Sequence, residues 1–143
     1  MTSVCVHGLG FVGLPTAAIL ATHGIDVVGY DTDSDRRHAI KAGEVDTTET
    51  DLENLIAQAR AVGRLEVVTS PPAAEYHLIC VPTPLSPDRN PDVSHVEAAV
   101  STIAPLLREE DTVVLESTVP PGTTESVVRP ILEAEIEFDP AQL

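Results

Sequence analysis

Short runs of β-branched and apolar residues alternate along this chain with longer stretches whose apolar positions recur at helical spacing. Ser3-Val-Cys-Val-His7 reads as a strand running into Gly8-Leu-Gly10. The alanine-rich stretch Leu14 to His23 reads as a helix stopped by Gly24. Asp26-Val-Val-Gly-Tyr30 is a second strand, ending at Asp31, and Ser34 to Ala42 a second helix, stopped by Gly43. An acidic, threonine-rich loop follows. Thr50-Asp-Leu-Glu53 then has the spacing of a capping box and predicts a helix to about Ala61. Leu65 to Thr69 and Tyr76 to Val81 read as strands, separated by Pro71-Pro72. After the proline-rich loop Pro82 to Pro91, Ser94-His-Val-Glu97 forms a second capping box. Behind it Val96, Val100, Ile103 and Leu107 share one helical face, and Pro105 is expected to bend or end that helix. Thr112 to Leu115 is a fifth strand, a last helix is expected to reach about Glu133, and Glu135 to Leu143 is a short acidic tail.

Five strands separated by helices imply βαβ crossovers and a parallel sheet. Strands such as Val27-Val28 and Val113-Val114-Leu115 are apolar on both faces, as a sheet covered by helices on both sides requires. The expectation is a Rossmann-type, doubly wound α/β fold in a single domain over residues 1–133, with 134–143 as an acidic tail. At 143 residues the length suits one domain. In this architecture ligands bind past the carboxyl ends of the strands, at the switch point of strand order. The segments to search are therefore Gly8–Gly13, Asp31, Val81–Leu85 and Ser117–Thr118.

Charge narrows the partners. Eight Lys and Arg against 23 Asp and Glu give a net charge of −15, with a pI of about 4.4. Such a field repels phosphate backbones and anionic membranes, so no nucleic-acid or membrane partner is expected. Lys41 is the only lysine. A carboxylate-rich, lysine-poor surface points to a protein that works in high salt, where counter-ions screen its self-repulsion. There is no run of 18 apolar residues and no signal-peptide pattern, which makes the cytoplasm the expected location. Cys5 and Cys80 sit in apolar strand-like runs, without zinc-type spacing, and read as small buried hydrophobes.

Gly8-Leu-Gly10-Phe-Val-Gly13 is a G-x-G-x-x-G that follows a strand and opens a helix, and Asp31 lies 18 residues after its last glycine. That context is the dinucleotide fingerprint. Gly8 allows the tight turn, Gly10 lets the backbone approach a pyrophosphate, and Gly13 lets helix and strand pack closely. The pyrophosphate would sit on the helix N-terminus, where N–H groups and the dipole favour an anion. Asp31 is placed to accept hydrogen bonds from a ribose 2′-hydroxyl and to repel a 2′-phosphate, so NAD is favoured over NADP. Arg36 and Arg37 pull the other way if they reach that phosphate, and are otherwise solvated residues of the second helix. His7, next to the loop, reads as a strand-end histidine or as a group approaching the cofactor. His23, His38, His77 and His95 have no ligand spacing, and no metal is assigned. No serine sits in G-x-S-x-G.

Gly8-Leu-Gly-Phe-Val-Gly-Leu-Pro15, Asp31 with Arg36, Val81-Pro-Thr-Pro-Leu85 and Glu116-Ser-Thr-Val-Pro120 occur in order and in spacing that resemble the N-terminal domain of the UDP-glucose/GDP-mannose dehydrogenase family. Pro91-Asp-Val-Ser-His-Val-Glu97 and Pro120-Pro-Gly-Thr-Thr124 lean towards the branch that oxidises UDP-N-acetyl-mannosamine. The resemblance implies that Phe11 and Val12 present backbone N–H groups to the pyrophosphate, and that Asp31 and Arg36 hold the adenosine end. It implies cofactor contacts from Val81, Pro82, Thr83 and Pro84, with Ser117 and Thr118 beside the nicotinamide. The Thr118 hydroxyl would position a water or the substrate. The family's reaction oxidises a sugar C6 alcohol to a carboxylate with two NAD, through a cysteine adduct assisted by a lysine. That cysteine, the lysine and the sugar-binding domain lie beyond this domain, so the chain is expected to be inactive alone and part of a homo-oligomer at full length. The function expected is therefore a cytoplasmic UDP-sugar 6-dehydrogenase of polysaccharide biosynthesis. Two other readings stand beside it: the cofactor domain of a β-hydroxyacid-type dehydrogenase, and a stand-alone NAD-binding module without chemistry. The Val-Pro-Thr-Pro and Glu-Ser-Thr-Val-Pro segments speak against the former.

The charge of −15 predicts that stability rises as salt is added over the first molar or so, where the Debye length falls to about 3 Å. Melting curves across a potassium chloride series check this. A flat or falling Tm would mean that the acidic surface is not a salt adaptation.

Overall fold

A computed structural model describes residues 2–45 and 50–139, without the side chain of Thr50. The strands are β1 (Ser3–His7), β2 (Asp26–Tyr30), β3 (Leu65–Val68), β4 (Tyr76–Ile79) and β5 (Thr112–Leu115). The helices are α1 (Gly13–Thr22), α2 (Ser34–Ala42), α3 (Thr50–Ala61), α4 (Ser94–Ile103) and α5 (Arg129–Glu135). All five strands pair in parallel, in the order β3-β2-β1-β4-β5. This is the expected doubly wound sheet, and strand order reverses between β1 and β4.

Alternation along the strands sorts two apolar clusters onto the two faces. Val4, Val6, Val27 and Val67 pack with Leu14, Ala17, Ala18 and Ala21 of α1, Ile40 of α2, and Ile56 and Ala59 of α3. Small alanines along α1 let that helix lie close to the central strands. On the other face Ile79 packs with Val96, Val100 and Ile103 of α4, with Ala104 and Leu107 after it, and with Val128 and Leu132. The four positions read as one helical face in the sequence are thus all buried. Gly24 and Gly43 end α1 and α2 with φ of +90° and +80°.

Several local expectations differ from the structure. Ser94 is not a cap but the first residue of α4, and Asp92 supplies the cap instead, its Oδ1 accepting from the Ser94 N–H at 2.9 Å. Those hydrogen bonds from Ser94 hold the Asp92 carboxyl below its ordinary value. Capping chemistry needs a side-chain oxygen two or three residues ahead of the donor, and the serine sits too late. The side chain of Thr50 in the other capping box lies outside the described residues, as does the stretch 46–49 of the acidic loop. β3 stops at Val68 and β4 at Ile79, short of Thr69 and Val81. The last helix opens with a π-helical turn at Thr124–Val128 and ends at Glu135, two residues past the expected Glu133. Pro130 is the second residue of α5, directly after the π-helical turn. Pro105 does end α4, and a 3-10 turn, Ala104–Leu106, follows. Residues 140–143 of the tail lie outside the described residues.

Ile103 is fully buried in the second cluster, so Ile103→Ala removes atoms that neighbours cannot replace. The expected cost is about 2–5 kcal/mol. Urea unfolding followed by circular dichroism measures it, and a loss below about 1 kcal/mol would mean that the face relaxes freely.

Candidate cofactor site at the strand carboxyl ends

The loop after β1 is held by two backbone approaches that only glycine allows. Gly8 has φ +92°, and a Cβ there would lie 2.7 Å from the Cys80 carbonyl oxygen. A Cβ on Gly13 would lie 1.8 Å from the Gly8 carbonyl oxygen. The loop therefore folds back on itself, and its first glycine sits against the residues that follow β4. Gly10 meets only Arg36, whose Nη1 would lie 3.2 Å from a Cβ.

Asp31, just past β2, is 8% exposed. Its Oδ2 accepts from the Leu9 N–H at 2.7 Å and its Oδ1 from the Asp33 N–H at 2.9 Å. Arg36 places a guanidinium nitrogen 3.8 Å from the same Oδ2, and Arg37 donates to the Asp31 main-chain carbonyl at 2.6 Å. The two arginines weighed together in the sequence thus separate. Arg37 braces the backbone, while the exposed Arg36 stands over the glycine loop. Asp33 caps α2 by accepting from the N–H groups of Asp35 and Arg36, which hold its carboxyl below the ordinary value. By contrast α1 has no side-chain cap and no acid in its first turn. In a protein of charge −15, the first turn of α1 itself carries no carboxylate, which suits an anion-binding position.

The loops after β4 and β5 are tied together. Ser117 Oγ donates to the Val81 carbonyl at 2.7 Å, and Thr83 Oγ1 donates to the Thr118 carbonyl at 2.5 Å. The Ser117 N–H bonds the Ile79 carbonyl at 3.1 Å. The Pro82–Pro91 loop closes on itself through an antiparallel bridge between Leu85 and Pro91, and through bonds from the Asp92 N–H to the Pro84 carbonyl and the Ser86 N–H to the Asn90 carbonyl. Thr118 is exposed. Phe11 stands fully exposed at the tip of the glycine loop, with Val12 half-exposed beside it.

The expected site residues therefore form one continuous rim. Arg36 meets Asp31 and Gly10, Asp31 meets Leu9, Gly8 meets the start of the Val81 loop, and that loop meets Ser117 and Thr118. Sequence reasoning missed Leu9, whose N–H bonds the carboxylate, and the use of the Ser117 hydroxyl on main chain. No residue-type signal marks a backbone donor. Neither thiol suits nucleophilic work, because burial pushes Cys5 up to about 12 and Cys80 up to about 11, the latter with help from Glu116. His7 is buried on the sheet, where burial and then His77 push its ring down to about 3. It is a strand-end histidine, and Cys80 donates to its main-chain carbonyl at 2.7 Å.

The glycine cradle, the uncapped helix and the carboxylate past β2 fit a dinucleotide. Comparison with known proteins agrees. Residues 2–141 match the profile of the UDP-glucose/GDP-mannose dehydrogenase family, NAD binding domain. A UDP-N-acetyl-D-mannosamine dehydrogenase of Methanococcus aeolicus is 42% identical over 130 residues, covering 89% of this chain and 30% of that protein. The chain thus spans about a third of the curated relatives it matches. The structure of the UDP-N-acetyl-mannosamine dehydrogenase of Staphylococcus aureus superposes with a TM-score of 0.88 at 35% identity, over 93% of this chain and 33% of that one. A UDP-glucose dehydrogenase of Pyrobaculum islandicum gives 0.86 at 36%, over 94% and 33%.

The glycine geometry predicts unequal costs. Gly13→Ala drives a Cβ into backbone that cannot yield, and is expected to lose about 1–3 kcal/mol or more. Gly10→Ala meets only the end of a flexible arginine and should stay within about 0.5 kcal/mol. Paired denaturation curves measure both, and equal losses would contradict the cradle.

Proposed function

The chain belongs to the UDP-glucose/GDP-mannose dehydrogenase family as its NAD-binding domain, and on that premise we propose that it is the cofactor half of a nucleotide-sugar 6-dehydrogenase. The substrate of the whole protein is a UDP-sugar, UDP-N-acetyl-mannosamine first and UDP-glucose second, whose C6 alcohol is oxidised to a uronate. The relatives' names support the sugar class. The observation that carries the reading is the continuous rim from Arg36 to Thr118, built across the switch point between β1 and β4.

In this reading the backbone of Gly10, Phe11, Val12 and Gly13 receives the pyrophosphate at the N-terminus of α1. Asp31 accepts from the adenosine ribose, and Arg36 lies over that end. Val81, Pro82, Thr83 and Pro84 form the wall beyond β4. Ser117 and Thr118 reach the nicotinamide end, Thr118 orienting water or the sugar hydroxyl. When bound, NAD supplies the hydride acceptor. Because the chain spans about a third of its relatives, we assign the sugar site, the nucleophile and its lysine to the remainder of the protein, joined through residues 134–143. The whole enzyme is then a cytoplasmic homo-oligomer of polysaccharide biosynthesis. The cofactor domain of a β-hydroxyacid-type enzyme has no support beyond the shared fold, while a stand-alone module is separated by the experiment below.

Two outcomes are expected. NAD should bind more tightly than NADP, and Asp31→Ala should cost about 1–3 kcal/mol of NAD affinity, the usual worth of a hydrogen bond to a charged group. Calorimetric titration with both cofactors decides, and equal affinities in the unaltered chain would overturn the role of Asp31. Further, the 143-residue chain should bind NAD yet form no NADH with UDP-N-acetyl-mannosamine or UDP-glucose, whereas a protein extended to its relatives' length should turn over. Absorbance at the NADH band reads this. Turnover by the short chain would refute the division of labour, and an inactive extended protein would favour the stand-alone module.

A further inference from the structure

Three ligand-type side chains meet inside the sheet, on the face opposite α1. Cys5 and His7 alternate along β1, and His77 on β4 lies in register with Cys5, so all three point the same way. Their exposures are 0%, 1% and 0%. His7 Nε2 and His77 Nδ1 face each other at 3.0 Å, and one donor atom from each of the three lies within 4.8 Å of the others. The outer nitrogens, Nδ1 of His7 and Nε2 of His77, are buried without a hydrogen-bond partner. Tyr30 closes one side, its ring edge-on to His7 at 6.0 Å.

We propose that Cys5, His7 and His77 form a three-coordinate site for a thiophilic monovalent cation, Cu(I). One thiolate and two imidazoles are the donor set soft copper selects. Charge favours the monovalent ion: with a thiolate it is neutral, whereas a divalent ion would leave a net positive charge in a dry interior. Zinc also asks for a fourth ligand, and among the described residues no fourth His, Cys, Asp or Glu joins the cluster. Asp111, the carboxylate whose charge acts on His77, already accepts from the Arg108 N–H at 2.8 Å. Metal–donor bonds of about 2.0–2.3 Å in a trigonal plane set donors roughly 3.5–3.7 Å apart. The facing nitrogens need therefore open by roughly half an ångström. On binding, the proton held between the two facing nitrogens moves to the outer nitrogen of its own ring, so that each ring carries its single N–H there, the Cys5 thiol proton leaves to solvent, and no electron moves. The proposal does not depend on NAD binding, although His7 and Tyr30 immediately precede Gly8 and Asp31 of the cofactor rim.

The test is anaerobic titration of the full chain with Cu(I) against a chromophoric Cu(I) chelator, followed by X-ray absorption. One Cu(I) per chain is expected, with one sulfur and two nitrogen neighbours. Cys5→Ser should weaken binding by more than roughly 100-fold, beyond the loss of an outer-shell partner, while Cys80→Ser should leave it unchanged. Should Cys5→Ser fail to fold, the ligand set from absorption on the unaltered chain still decides. Complete retention of copper by the chelator, dependence on Cys80, a four-ligand spectrum, or preference for zinc in a parallel titration would each overturn the proposal.

Discussion

The carboxyl edge of this sheet depends on how closely the chain passes itself between Gly8 and Gly13. A hydrogen atom is all that fits between the Gly13 α-carbon and the Gly8 carbonyl. That approach fixes the start of α1 above the end of β1, and the same turn presses Gly8 against the Cys80 carbonyl at the end of β4. The two strands that flank the reversal of strand order are therefore locked by backbone contact. Side chains then decorate a frame whose position is already set.

Much of this was legible in the sequence, because its signals are local. Apolar runs place every strand, glycines mark the ends of α1 and α2, and Val96, Val100 and Ile103 mark the buried face of α4, with Leu107 buried beyond it. The rim could be located because strand ends in a doubly wound sheet share one edge. Misreadings arose where several residues compete for one task. Asp92, not Ser94, caps α4, since both carry an oxygen and only geometry chooses between them. The π-helical turn before α5 leaves no compositional trace.

Contacts that cross the sheet were out of reach for a different reason. His7 and His77 are 70 residues apart, and no linear spacing announces them as neighbours. Their meeting follows from parallel register, which aligns Cys5 with His77 once β1 and β4 are paired. The bond from the Leu9 N–H to Asp31 is equally silent, because any residue at position 9 offers that donor.

That bond bears on altering coenzyme preference. The usual route from NAD to NADP removes the acid past the second strand and relies on a nearby arginine. Here Arg36 already stands beside Asp31, so the positive partner is in place. The acid, however, also fastens the glycine loop through Leu9 and the following turn through Asp33. Replacing it with a residue lacking an acceptor would loosen the cradle while relieving the repulsion. An asparagine or serine at position 31, neutral yet able to accept a backbone N–H, would keep the loop fastened while removing the charge.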